Sequence, residues 1–326
     1  MKVKFHKFIC FYIFIKEEFA HLVPACTIAL ITEEATKVSK KRPQKNQAQK
    51  KELASLAEKT KLQNTFNQKE LSVAKKAADS FIKRYPNDGF GYKVLGVILQ
   101  KTDQIPKSIT ALKQSIALAA DDSETYCNLA NIQHACDSLE DAEANYLRAL
   151  KLTPNNYLAL KNLAGLYKES KRYPEAEHYL RLATKTNPED ISAYITLGAI
   201  LKDTGKLIEA EQITRHALKL NPGHSSILLN LGAILQQLGH LDEAKEYSEK
   251  ALISQPCDIN ALRNLSIIQK DLYQFEEAIE TIQKILNIQP CYVDSWVHLS
   301  DCLNELGQYA ESNSALQKAI DIEPED

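Results

Sequence analysis

The sequence predicts an all-α protein, built as a right-handed superhelical solenoid of about seven to eight antiparallel helix pairs. Two observations predict it: proline recurs every 34 residues, and leucine recurs at a second fixed place in the same interval. Composition agrees, because 326 residues contain only 10 Gly and 11 Pro. So few helix-breaking residues are typical of long helices joined by short turns.

The 34-residue interval divides the chain into eight frames, which begin at residues 55, 89, 123, 157, 191, 225, 259 and 293. Position 32 of a frame is Pro86, Pro154, Pro188, Pro222, Pro256, Pro290 or Pro324, and Ala120 is the exception. Such regular spacing indicates one supersecondary unit per frame, stacked on its neighbours.

Other positions of the frame predict how the two helices of a unit pack. Position 7 is Leu95, Leu129, Leu163, Leu197, Leu231, Leu265 and Leu299. Positions 8 and 20 are always small from the second frame onward, and position 4 is large. Small residues let helices approach closely, Gly205, Gly239 and Gly307 mark the turn, and the proline ends the second helix.

The first frame departs from the pattern. Its second half (Leu71, Ala74, Phe81) fits, but Lys61 and Leu62 stand where leucine and a small residue belong. We expect this frame to act as a polar N-terminal cap on a solenoid of residues 51–326.

Residues 1–50 are predicted to be a disordered or wrongly annotated leader with a basic tether. The apolar run Phe8–Ile15 resembles part of a signal peptide, but it is too short to cross a membrane. Residues 37–51 carry seven positive charges and no negative one, a composition that stays solvated. Seven cysteines without metal-ligand spacing indicate free thiols and a cytoplasmic location.

An alternative for this segment is an export or anchor signal. Val23-Pro24-Ala25-Cys26 loosely resembles a lipoprotein cleavage box, which would make the chain a membrane-anchored lipoprotein for envelope assembly. Charges inside the apolar stretch argue against a membrane location.

Charge and motifs exclude other classes. Residues 1–61 hold 13 Lys and Arg against six Glu, and the remainder holds 27 basic against 36 acidic residues. The body is thus acidic, which argues against a nucleic-acid partner. We find no phosphate loop, no paired nucleophile and base, and no metal-ligand spacing. The sequence therefore predicts no enzyme, no cofactor, and no catalytic or metal site.

The offsets of the large residue, leucine, small residues and proline resemble the tetratricopeptide repeat family over residues 55–326. The segments PNDGFGYKVLG and SLEDAEANYLRALKLTPNN look similar to the repeat arrays of protein O-GlcNAc transferases and of bacterial repeat-containing sulfotransferases. The resemblance implies a protein-interaction scaffold that binds a protein or extended peptide. The alternative it implies is the substrate-recognition arm of a truncated or split transferase.

Such a scaffold would bind along a concave groove lined by the first helix of each repeat, where positions 2, 5, 6, 9 and 12 point. An asparagine amide there can both donate to and accept from a peptide backbone. The predicted groove residues are Asn128, Asn162, Asn230 and Asn264, interrupted by Thr196 and followed by His298, with Lys161 and Arg263 adding positive charge. The last helix presents Leu316, Ala319 and Ile320 without an obvious cover, so we also expect self-association through the C-terminal repeat.

Overall fold

The computed structural model describes residues 44–68 and 70–323, with side chains described from Leu56 onward. Within these ranges the chain forms sixteen helices and no strand, so the predicted all-α fold is confirmed. The predictions for residues 1–43, including the box at Cys26, and for the final three residues lie outside the described residues.

The helices alternate between first and second members of the predicted pairs. Their bounds are α1 Gln44–Asn67, α2 Leu71–Arg84, α3 Gly89–Lys101, α4 Ile105–Leu118, α5 Ser123–Ala135, α6 Leu139–Leu152, α7 Tyr157–Glu169, α8 Tyr173–Thr186, α9 Ile191–Asp203, α10 Leu207–Leu220, α11 Ser225–Gln237, α12 Leu241–Ser254, α13 Ile259–Asp271, α14 Phe275–Ile288, α15 Val293–Glu305 and α16 Tyr309–Ile322. Each frame therefore holds one odd-numbered and one even-numbered helix.

The first helix departs from this regularity. It has 24 residues, whereas α5 and α6 have 13 and 14. It begins at Gln44, so the predicted boundary between tether and solenoid at residues 50 and 51 falls inside a helix. Leu62 of α1 is buried and Lys61 is exposed. The large residue at position 8 thus lies in a core, where later frames bury a small one.

The chain divides into two compact units, with the boundary between Val94 and Leu95 inside α3. In the unit that ends at Val94, α1 packs on α2. Phe81 is buried there beside Phe90, and the Arg84 guanidinium pairs with Glu58 at 2.9 Å.

In the unit that begins at Leu95, the helices of a pair run antiparallel. Ser123 at the start of α5 donates to the carbonyl of Ala149 near the end of α6, at 2.9 Å. Gln133 near the end of α5 accepts from Asn145 in the first half of α6, at 2.7 Å. Burying a leucine in such a pair contributes about 2 kcal/mol.

The small residues at positions 8 and 20 are buried between the two helices, as predicted. Ser108 donates to the Gly96 carbonyl at 2.6 Å. A β-carbon on Gly198 would lie 2.5 Å from Oγ1 of Thr214 in α10. The closeness of the Thr214 side chain thus favours glycine at that position.

The turn inside each pair has one conformation in seven frames. Position 15 has a positive φ whether it is Gly205, Gly239 and Gly307, or Asp103, Asp137, Lys171 and Tyr273. The next amide closes the turn, as when Lys206 donates to the Leu201 carbonyl at 2.8 Å. This is a Schellman closure, so the turn forms even where the sequence lacks the predicted glycine.

First helices also pack on one another across repeats: α5 on α7, α9 on α11, and α11 on α13. We call the surface they share the first-helix face. The predicted groove would lie on this face, and the candidate site lies on it.

At the last helix the prediction was partly wrong. Leu316 and Ile320 of α16 are exposed at 39% and 53%, as expected, but Ala319 is buried at 6%. Self-association through this repeat stays a prediction. Among the described residues, no helix is both long and apolar enough to span a bilayer.

Candidate functional site

A cavity of about 600 Å³ opens on the first-helix face between the third, fourth and fifth frames. It is lined by Asn131, His134, Ala135, Tyr146, Lys161, Asn162, Gly165, Glu169, Leu180 and Thr196. We call it the polar cavity. Helices α5, α7 and α9 supply its walls, and α6 and α8 supply its floor.

A hydrogen-bond network fixes the floor of the polar cavity. Asn131 Oδ1 accepts from Asn162 Nδ2 and from the Tyr146 hydroxyl, each at 2.7 Å. Tyr146 is buried, and that burial raises the pKa of its hydroxyl above the ordinary value. The phenol therefore stays neutral and donates, which holds Asn131 in one orientation.

The charged side chains at the rim have partners within the protein. His134 Nε2 lies 2.7 Å from Glu169. Lys161 donates to Ser192 at 2.8 Å and lies 3.5 Å from Asp190. Burial opposes ionisation of Asp190, but hydrogen bonds from Ser192 and the charge of Lys161 outweigh it and lower its pKa to about 2. The rim therefore offers donors and acceptors without a large net charge.

A second cavity, of about 240 Å³, opens on the same face between the seventh and eighth frames. It is lined by Arg263, Ser266, Ile267, Ile282, Ile285, Asp294, Ser295, Val297 and His298. We call it the aliphatic cavity. Ile282 and Ile285 of α14 form its buried floor.

The two cavities use the same frame positions, four repeats apart. Position 9 is Asn131 in one and Ile267 in the other, and position 24 is Tyr146 or Ile282. Positions 5 and 6 of the following frame are Lys161 and Asn162 in the polar cavity, and Val297 and His298 in the aliphatic one. One backbone site therefore occurs twice with different chemistry.

Three ionisable groups stand at the edge of the aliphatic cavity: Arg263 on α13, and Asp294 and His298 on α15. Burial lowers the pKa of His298, and the charges of Lys270 and Arg263 lower it further. The imidazole is therefore neutral at pH 7. Arg263 and Asp294 are exposed, and within the described residues neither forms an ion pair with another side chain.

The structure separates the predicted groove residues. Lys161 and Asn162 line the polar cavity, and Arg263 and His298 line the aliphatic one. The remaining asparagines, Asn128, Asn230 and Asn264, line neither cavity. Asn230 instead donates to the Ile195 carbonyl at 3.4 Å.

Sequence reasoning missed Asn131, His134 and Tyr146. Asn131 and His134 stand at positions 9 and 12, which were expected to face the groove, but asparagine does not recur at position 9, nor histidine at position 12, as asparagine does at position 6. Tyr146 stands at position 24 of the second helix. Position 24 lies opposite the small residue at position 8. A tyrosine at position 24 was the feature of the sequence that could have pointed to Tyr146.

Known proteins share this architecture. Models of the tetratricopeptide repeat match residues 137–201, 214–246, 191–224 and 293–326. No curated protein matches the sequence.

Among solved structures, YrrB, described as a tetratricopeptide protein with an unusual peptide-binding site, is 25% identical with a TM-score of 0.50, covering 57% of this chain and 95% of its own. PilF of Pseudomonas aeruginosa is 19% identical with a TM-score of 0.56, and the match covers 67% and 97%. A tetratricopeptide protein of Parabacteroides merdae is 17% identical with a TM-score of 0.58, covering 76% and 93%. The resemblance to O-GlcNAc transferase and sulfotransferase arrays stays a prediction.

Proposed function

We propose that this chain, which carries tetratricopeptide repeats, is a non-enzymatic scaffold that binds an extended segment of another protein along its first-helix face. The observation that carries the proposal is the recurrence of one cavity at the same frame positions, four repeats apart. A linear ligand that runs across the first helices would meet both cavities in turn.

The chemistry of the first-helix face supports a polypeptide ligand. Within the described residues, the side-chain amides of Asn128 and Asn264 make no hydrogen bond, and both side chains are half-buried. A half-buried amide in contact with a peptide can exchange donor and acceptor with its backbone. Such contacts would bind the backbone of a segment without selecting for its side chains.

The likeness to YrrB supports the same proposal at the level of fold and ligand class. That protein is described as having a peptide-binding site. Tetratricopeptide proteins generally act as protein-interaction scaffolds, so the partner of this chain would be a protein.

The test is a pull-down from native lysate with the full chain, beside the double variant Asn128→Ala/Asn264→Ala. Because neither amide supports the fold, both baits should give the same circular dichroism spectrum and melting temperature. We expect the variant to lose the partners that the natural chain retains. The control is Ile253→Asn, which changes an exposed side chain on α12, a second helix.

Retention of the same partners by the Asn128→Ala/Asn264→Ala variant would contradict binding through these amides. Loss of partners by Ile253→Asn alone would place the binding surface on the second helices instead. Mass spectrometry of the captured proteins distinguishes the outcomes.

A further inference from the structure

We propose that the two cavities form a two-point reader, meaning that each cavity recognises a different side chain of one bound segment. The polar cavity takes a stretch of the bound segment that carries an uncharged hydrogen-bonding side chain, and the aliphatic cavity takes a leucine, isoleucine or valine about ten to twelve residues away. The inference rests on the proposed scaffold function and names the class of segment that the scaffold selects.

The aliphatic cavity fits a single side chain. Its volume of about 240 Å³ is below the roughly 300–1,000 Å³ of sites that hold a whole small ligand. Ile267, Ile282 and Val297 would surround the guest, and Ile282 is fully buried beneath it. His298 is neutral at pH 7, so it adds no charge that would oppose an apolar guest.

The polar cavity would reject the same guest. Asn131, Lys161 and Asn162 occupy the places of Ile267, Val297 and His298. An aliphatic side chain there would cover polar groups without giving them a hydrogen bond, which is unfavourable. An Asn, Gln, Ser or Thr side chain could instead bond to the amide oxygen of Asn162.

The spacing follows from the repeat. Packed helices lie about 8–10 Å apart, and first helices pack on one another in three of the four steps from α5 to α13, so we take the cavities to lie about 32–40 Å apart along the first-helix face. An extended chain advances about 3.3 Å per residue. A segment that fills both cavities therefore separates the two anchors by about ten to twelve residues. Because the two cavities differ in chemistry, they also fix the orientation of the bound segment along the face.

The test is selection of a random 16-residue peptide library, displayed on phage, against the full natural chain and against a swap variant. The swap, Ile267→Asn/Val297→Lys/His298→Asn, installs the polar residues in the aliphatic cavity. All three side chains are half-buried or exposed, so the variant should fold. If it does not, Ile267→Asn alone serves, and Ile253→Asn is the matched control.

We expect peptides selected on the natural chain to share an aliphatic residue and an Asn, Gln, Ser or Thr about ten to twelve residues apart. Replacing that aliphatic residue by Asn in a selected peptide should weaken binding to the natural chain roughly tenfold or more, as measured by fluorescence polarisation. The swap variant should lose this preference, and the control should keep it.

Three results would overturn the two-point reader. Enrichment without an aliphatic anchor, or with an anchor that the swap leaves unchanged, would overturn the two-point reader and leave the scaffold function intact. If no peptide is enriched on any variant, peptide binding by this face fails along with it.

Discussion

Asn162 on α7 donates from Nδ2 to Oδ1 of Asn131 on α5 at 2.7 Å, so this predicted groove amide joins two repeats. The Tyr146 hydroxyl donates to the same oxygen. In Asn131→Ala the buried hydroxyl would lose its partner, which costs about 1–3 kcal/mol. We expect a loss of that size in the free energy of unfolding, measured by urea denaturation.

Asn128→Ala is the matched control, because Asn128 lies one helical turn away on α5 and its side chain makes no hydrogen bond within the described residues. Its free energy of unfolding should change by no more than about 0.5 kcal/mol. An equal loss in both variants would show that the network around Tyr146 does not stabilise the stack.

The frame itself was predictable because each unit repeats the same packing. Leu163 is buried and Gly198 faces α10 because these positions recur, and recurrence is visible in sequence. The cavities were not predictable in the same way. Whether Asn162 faces a ligand or bonds to Asn131 depends on which side chains meet across repeats, and the spacing of one residue type does not contain that information.

The turn of the seventh repeat is strained at Tyr273. This residue has φ 60° and is 79% exposed, whereas the equivalent Gly205 adopts φ 76° without cost from a side chain. The left-handed conformation costs a non-glycine residue about 1–2 kcal/mol. Tyr273→Gly should therefore raise the free energy of unfolding by about 1 kcal/mol, as measured by urea denaturation.

The converse substitution, Gly205→Ala, is the control for that turn. No atom lies within 4 Å of the added β-carbon, so only the backbone conformation opposes it. It should lower the free energy of unfolding by about 1 kcal/mol. Stabilisation by Gly205→Ala, or destabilisation by Tyr273→Gly, would contradict the argument from φ.

The pair of helices α9 and α10 is closest at Gly198. In Gly198→Ala the new β-carbon would meet Oγ1 of Thr214, a buried hydroxyl without a hydrogen-bond partner within the described residues. Overpacking of this kind costs about 1–3 kcal/mol, partly offset by the helix propensity of alanine. We expect a net loss of about 1 kcal/mol in the free energy of unfolding.

Adding Thr214→Ala should restore stability to Gly198→Ala, because it removes both the clash and the unpaired hydroxyl. Thr214→Ala alone should lower the free energy of unfolding by less than truncation of a buried side chain usually does. Additive losses in this double-mutant cycle would mean that the two side chains do not meet.

Asp190 makes part of the stability depend on pH. It caps α9 by accepting from the Ser192 amide at 2.7 Å and lies 3.5 Å from Lys161. Its pKa of about 2 is below the unfolded value of about 3.9. The stabilisation is therefore complete above pH 4 and is lost as pH falls toward 2.

Asp190→Asn keeps the cap but removes the charge, so it should lower the free energy of unfolding by about 1–2 kcal/mol at pH 7. The difference from the natural chain should shrink below pH 4 in urea denaturation at constant ionic strength. Asp258→Asn is the control, because Asp258 caps α13 in the same way without an ion pair to any described residue. Asp258→Asn should lower the free energy of unfolding at pH 7 by less than Asp190→Asn does. An equal loss in both variants would assign the effect to capping alone.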